Sequence, residues 1–125
     1  MNLMTENQKQ IDVTHHRTKV VYVAGPYRDK RGAHYIDQNI QNARAVAAEL
    51  WKLGFAVICP HLNTSHMDGL IPDDDFIEGL IAILLRCDAI VTMEDYQQSQ
   101  GTLAELEQAY DHNIPVYYWP MVPPP

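Results

Sequence analysis

Two rhythms of apolar and polar positions alternate along the chain. Short runs rich in β-branched and aromatic residues fall at Lys19–Ala24 (KVVYVA), Phe55–Cys59 (FAVIC), Asp88–Met93 (DAIVTM) and Pro115–Trp119 (PVYYW). Each is strand-sized, and the first carries apolar residues on both faces, as a central parallel strand does. Between them the apolar positions recur at helical spacing. Ile36, Ile40, Ala43, Ala47 and Leu50 mark one face, with Asp37 in the first turn and Gly54 as the stop. Ile77, Leu80, Ile81, Leu84 and Leu85 mark a second helix, from Asp73 to about Arg86. Leu103, Leu106 and Ala109 mark a third, with Thr102 as N-cap and Asn113 as terminator.

This alternation predicts a single-domain α/β fold, a flavodoxin/Rossmann-like parallel sheet of strand order 2-1-3-4 with helices on both faces. The domain is expected over residues 19–119. Residues 1–18, with the pair His15-His16, read as a flexible N-terminal arm, and residues 120–125 as a Pro-rich tail without regular structure.

Composition narrows the class. At 125 residues with 46% hydrophobic content, the chain suits one globular core. No apolar run is long enough for a membrane span, and residues 1–18 lack the apolar block of a signal peptide. An intracellular, cytoplasmic protein is expected, with Cys59 and Cys87 as buried thiols rather than a bridge. A net charge of −7 argues against a nucleic-acid duplex as partner. Within that acidic chain, Arg28, Lys30 and Arg31 form a short basic cluster suited to one local anion.

The candidate chemistry gathers at two loops. Ser99 and Gly101 precede the third helix, where free N–H groups favour an anion, and Glu105 is expected in its first turn. Thr102-x-x-Glu105 also fits a capping box, in which the Glu only bonds the cap's N–H. The loop after strand one carries Gly25 and the basic cluster. In a 2-1-3-4 sheet these two loops meet at the switch point, which favours a functional Glu105, a carboxylate nucleophile. Tyr22, if buried, needs a partner that a carboxylate would provide. His61, His66 and Asp68 match no strong metal template, so a substrate-lining loop is the better reading of 61–75 and no metal is expected. G-x-G-x-x-G, G-x-x-x-x-G-K-[ST] and G-x-S-x-G are all absent.

VYVAGPYR at Val21–Arg28, Asn39-Ile40 with Ala43, CPHLNTS at Cys59–Ser65, CDAIV at Cys87–Val91 and SQGTLAELEQA at Ser99–Ala109 resemble the nucleoside 2-deoxyribosyltransferase superfamily. A more distant likeness is to the 2′-deoxynucleoside 5′-phosphate N-hydrolases. The resemblance covers residues 19–119. It implies that Glu105 attacks the anomeric carbon, that Tyr22 positions that carboxylate, and that Gly25, Pro26 and Arg28 of the first loop with Ser99 contact the substrate's 5′-phosphate, Gly101 standing beside them in the substrate-binding motif. Transferases acting on nucleosides carry Asp at the position of Ser99, so serine points to a phosphorylated substrate.

One departure stands out. Leu80 occupies the place where many members carry the Asp that protonates the leaving base. Asp75 is the first substitute and Glu78 the second. The expected activity is N-glycosidic cleavage or deoxyribosyl transfer on a nucleoside or nucleoside 5′-monophosphate, through a glycosyl–Glu105 ester and without cofactor. The alternative is a non-catalytic nucleotide-binding protein. A homodimer or larger homo-oligomer is expected from the aromatic last strand and tail. The same aromatics, Tyr117, Tyr118 and Trp119, support a third reading as an interaction module.

Overall fold

The computed structural model describes residues 18–67 and 69–125. The arm expected over 1–18, with its His pair, lies outside the described residues apart from Thr18, as does Asp68. In chain order the elements are β1 (Val20–Ala24), α1 (Ala33–Lys52), β2 (Ala56–Ile58), α2 (Pro60–Asn63), α3 (Asp73–Leu84), β3 (Ala89–Thr92), α4 (Gln100–Asp111) and β4 (Val116–Tyr118). A single 3-10 turn, Tyr96–Gln98, leads into α4. The strands form one parallel sheet of order β2-β1-β3-β4, as the pattern predicts.

The period-two geometry of β1 divides the core. Val21 and Val23 point to one face, where Ala43, Val46, Ala47 and Leu50 of α1 cover them. Tyr22 and Ala24 point to the other, against Leu84 of α3 and Leu106 and Ala109 of α4. Helices therefore cover both faces, and every β1 residue from Val21 to Ala24 is buried.

The helix ends follow local chemistry. Gly54 adopts φ 98° after α1, its N–H donates to Trp51 O at 3.0 Å, and Phe55 N–H donates to Leu50 O at 3.2 Å. That is the Schellman pattern, with Leu50 and Phe55 both in the core beneath it. Asn113 repeats the pattern after α4: φ is 58°, and Ile114 N–H donates to Ala109 O at 2.8 Å.

Four features differ from the sequence reading. α1 starts at Ala33, so Asp37 lies inside the helix, exposed, with an oxygen 3.3 Å from His66 Nε2. The first turn buries no side chain, which leaves no apolar signal to mark it. The expected long irregular stretch opens on α2, with Pro60 at a position where its missing N–H costs nothing. The apolar residues of α3 do not form a buried stripe: Leu84 alone is buried, while Ile77 and Ile83 are 44% and 37% exposed. Finally, the aromatic end of the chain is turned inward. Tyr117, Trp119 and Val122 pack against the α1-side core, and Lys19 Nζ donates to Pro124 O at 2.8 Å.

Cys59 and Cys87 are free thiols, each pushed up to about 11 chiefly by burial. Among the described residues no helix is long and apolar enough to cross a membrane.

Candidate active site

The sheet order reverses between β1 and β3, and a cleft of about 410 Å³ opens at the carboxyl ends of these strands. Ligand clefts of open α/β sheets lie at this place for a topological reason: connections from the two strands depart in opposite directions and leave a gap. The loop after β1 supplies Gly25, Tyr27 and Arg28; α2 supplies Pro60 and His61; α3 supplies Asp73, Phe76, Ile77 and Leu80; and the approach to α4 with its first turns supplies Gln98 to Thr102 and Glu105.

Gly25 is required by packing rather than by a turn. A Cβ there would lie 2.5 Å from Met93 Sδ and 3.1 Å from Met93 Cβ, so a side chain would displace that of Met93. Three side chains then hold the adjoining loop. His61 Nε2 donates to Pro26 O at 2.8 Å, Asn39 Nδ2 donates to Tyr27 O at 3.0 Å, and the Tyr27 hydroxyl accepts from His66 N–H at 3.1 Å. His61 is buried edge-on to Tyr27, and burial lowers its pKa, so the ring sits neutral with the proton on Nε2.

The basic cluster is not one site. Arg31 donates to both Asp29 oxygens, from Nε at 3.0 Å and Nη2 at 2.8 Å, and its guanidinium lies 3.7 Å from the Tyr35 ring centroid. That pairing holds the Asp29 carboxyl well below its ordinary range. Arg28 alone of the three reaches the cleft, where its Nη2 donates to Asp73 Oδ1 at 2.6 Å.

On α4 the N-cap is Ser99, not Thr102. The Ser99 Oγ accepts from Thr102 N–H at 3.1 Å, which places Gly101 inside the first turn and Glu105 in the second. The capping-box role considered for Glu105 therefore disappears, because the box opens one turn earlier. Thr102 stands three and four residues before Glu105 and Leu106, and these stand four and three before Ala109, all on the inward side of α4. Leu106 and Ala109 enter the core, and Glu105 enters the cleft wall.

Glu105 is the anomalous residue of the fold. Its Oε2 is sealed from solvent and makes no hydrogen bond. Burial pushes its pKa up to about 7, an effect that the nearby Tyr22 hydroxyl partly offsets. Tyr22 is raised well above the ordinary phenol range, first by burial and then by the Glu105 charge. The two groups therefore feel each other, although the Tyr22 hydroxyl also lacks a hydrogen bond of ordinary geometry. Three further buried polar atoms have no partner: His61 Nδ1, Thr102 Oγ1 and Thr92 Oγ1. Buried polar groups are satisfied in the great majority of folds. Three of these five atoms belong to cleft-lining residues, and a fourth, the Tyr22 hydroxyl, neighbours one of them, Glu105. The cleft thus holds hydrogen-bonding capacity that the fold itself does not use.

Of the residues singled out in the sequence, Gly25, Arg28, Ser99, Gly101 and Glu105 come together on the cleft. Tyr22 lies beneath the wall, fully buried, and Pro26 is buried behind it with its carbonyl on His61. Asp75 and Glu78 are exposed and outside the lining, whereas Asp73 and Leu80 line it. His61 lines the cleft as expected of the 61–75 stretch, whereas Thr102 and Phe76 are cleft residues that the motifs leave without this role. His61 was legible, since it comes directly after the Pro that ends strand two and so must sit at the carboxyl edge. Phe76, four residues before Leu80 on α3, carries no signal of its own, whereas Leu80 is marked by the place of the missing acid. Among the described residues no group of three His, Cys, Asp or Glu side chains is placed to hold a metal ion.

Comparison with known proteins bears on the fold and the family. The model of a domain of unknown function (DUF7768) matches residues 19–119. No curated protein matches the sequence. The fold is similar to a 2-deoxyribosyltransferase of the psychrotolerant bacterium Bacillus psychrosaccharolyticus, with a TM-score of 0.57 and 19% identity over 79% of this chain and 70% of that one. It is similar to a 2-deoxyribosyltransferase of Leishmania mexicana, with a TM-score of 0.58 and 19% identity over 80% of this chain and 63% of that one. A conserved protein of Enterococcus faecalis V583 gives a TM-score of 0.54 and 20% identity over 82% and 63%. The chain thus spans less than two thirds of the length of the latter two.

Proposed function

The chain belongs to the DUF7768 family, whose name leaves the chemistry to be read from the cleft, and we propose that this chemistry is N-glycosidic cleavage of a nucleoside or transfer of its deoxyribosyl group. The observation that carries the reading is Glu105: a half-buried carboxylate in the wall of the switch-point cleft, with a sealed, unpartnered Oε2 and Tyr22 beside it. The fold likeness to two 2-deoxyribosyltransferases supports it.

In this scheme a Glu105 oxygen attacks the anomeric carbon as the bond to the base nitrogen breaks, leaving a glycosyl ester on Glu105 and a base that takes up a proton. Water or a second base then displaces the ester, giving hydrolysis or transfer. A neutral carboxylic acid is a poor nucleophile, so the ionised form must be restored as substrate enters; the Tyr22 hydroxyl favours that form. Asp75, the expected proton donor to the departing base, is exposed and stands outside the cleft lining, so in this scheme the base takes its proton from solvent. Gly25, Pro26, Arg28, Ser99 and Gly101 hold the sugar's 5′ end.

The test is incubation of the purified chain with the 2′-deoxynucleosides and their 5′-monophosphates, with and without a second base. Free base and exchanged nucleoside are read by chromatography. Glu105→Gln is expected to lower base release by orders of magnitude with the fold intact. Glu107→Gln, on the exposed side of α4, is the matched control, and Asp75→Asn is expected to leave base release nearly unchanged. Wild-type turnover in Glu105→Gln would end the scheme. A second reading, nucleotide binding without turnover, is favoured by Leu80 on the wall where an acid is expected. Binding without any released base would select it.

A further inference from the structure

This inference rests on the nucleoside reading above and narrows its substrate class. Among the described residues that line the cleft, Arg28 is the one permanent cation, and Asp73 and Glu105 are the two carboxyls. Lys30 and Arg31 stand outside the wall, and Arg31 is held by Asp29. His61 adds no charge, since its Nε2 proton is committed to Pro26 O and the ring is buried. The Arg28 guanidinium donates to Asp73 Oδ1 at 2.6 Å, joining the loop after β1 to the start of α3. The cationic partner that a phosphate would need is already matched by a carboxylate of the chain itself.

What the cleft offers the 5′ end of a sugar is otherwise uncharged. Thr102 N–H is taken by Ser99 Oγ, and Leu103 N–H by Ser99 O. That leaves the first-turn N–H groups of Gln100 and Gly101, which an α-helix does not bond internally, and the Ser99 hydroxyl proton. These groups suit a hydroxyl as well as an anion. Serine at position 99 removes one carboxylate from the 5′ end, but Asp73 supplies another from across the cleft.

We propose that Asp73 is a specificity-determining residue: by occupying Arg28, it makes the cleft take a nucleoside with a free 5′-hydroxyl in preference to the 5′-monophosphate. The side chains of the pair are 60% and 61% exposed, so the bond itself is easily given up. The discrimination arises once the pair is broken. A phosphate that takes Arg28 leaves the Asp73 carboxylate beside a second anion, in a cleft that already holds Glu105. A neutral ligand leaves the pair undisturbed and meets no such opposition.

The test is equilibrium titration, at low ionic strength, of the full chain with 2′-deoxyadenosine and 2′-deoxycytidine and with the 5′-monophosphate of each. All proteins carry Glu105→Gln so that no ligand is consumed. With Asp73 present, each nucleoside is expected to bind about tenfold or more tightly than its monophosphate. Adding Asp73→Asn is expected to shrink or reverse that ratio, by tightening the monophosphate while leaving the nucleoside nearly unchanged. Asp73→Ser, which removes the charge with a different side chain, must behave alike. A monophosphate preferred while Asp73 is present, or a ratio unmoved in both variants, overturns the proposal and leaves the nucleoside reading standing. Binding of none of the four ligands overturns both.

Discussion

At the scale of one residue, Glu105 couples stability to chemistry in opposite senses. Its pKa rises from 4.5 to about 7 in the folded chain, mainly through burial. A folded-state pKa above the unfolded value means that folding binds a proton. The associated stability is fully present below about pH 4.5 and is lost as pH rises from there through about 7. Glu105→Gln removes this penalty, so the variant should exceed the wild type in stability at pH 8 by up to ~3 kcal/mol and match it near pH 4. Urea unfolding at the two pH values measures the difference, and equal stability at pH 8 would show that burial does not strain this carboxyl. Base release should move the other way, climbing as pH passes about 7 and the nucleophile ionises. A residue that destabilises the fold at the pH where it is ionised for attack is what a functional site costs.

At the scale of the element, the two cleft glycines separate what the fold needs from what the cleft needs. Gly25 is demanded by the approach of Met93. Gly101 is not demanded by anything in the fold. It lies in the first turn of α4 with no positive φ, and an added Cβ would meet only Ser99 Oγ, at 3.8 Å. A glycine in a helix costs roughly 0.5–1 kcal/mol against alanine. Gly101→Ala is therefore expected to raise the melting temperature while weakening nucleoside binding, because its methyl group would stand in the cleft lining. Calorimetry on one protein preparation reads both. A stabilised variant with unchanged affinity would remove Gly101 from the binding surface.

At the scale of the whole molecule, the aromatic tail offers a second copy less surface than its sequence suggests. Tyr117, Trp119 and Val122 are turned onto the core, and the Tyr118 hydroxyl is paired with Tyr110 at 2.6 Å. Exposed apolar side chains also stand on and just before α3: Leu70, Ile71, Ile77 and Ile83. Ile77 also lines the cleft, so a neighbour seated there would stand at its rim. Self-association is expected to use this face. Light scattering at micromolar concentration should report more than a monomer, and Ile77→Lys with Ile83→Lys should return a monomer of unchanged circular dichroism. A wild-type monomer, or an oligomer untouched by the two lysines, would refute it.

By itself the sequence determined the architecture and the neighbourhood of the site. Strand and helix periods are local, each cap is written in a residue such as Gly54 or Asn113, and right-handed crossovers leave few orders for four strands. The switch point is then a consequence of the order, and with it the meeting of the loop after β1 with the start of α4. What only the tertiary structure decided is which atoms face one another there. Ser99 and Thr102 are both competent caps, and the docking of α4 selected Ser99, moving Glu105 one turn inward. Asp73 and Asp75 differ by two helical positions, about 200° around the axis, so one lines the cleft and the other does not. Arg28, Lys30 and Arg31 are equal in charge along the chain, yet local pairing with Asp29 claims Arg31 and a contact 45 residues away claims Arg28. Periodicity places elements, but the burial of Glu105 and the partner of Arg28 depend on side chains brought from distant segments, and that information exists only once the chain is packed.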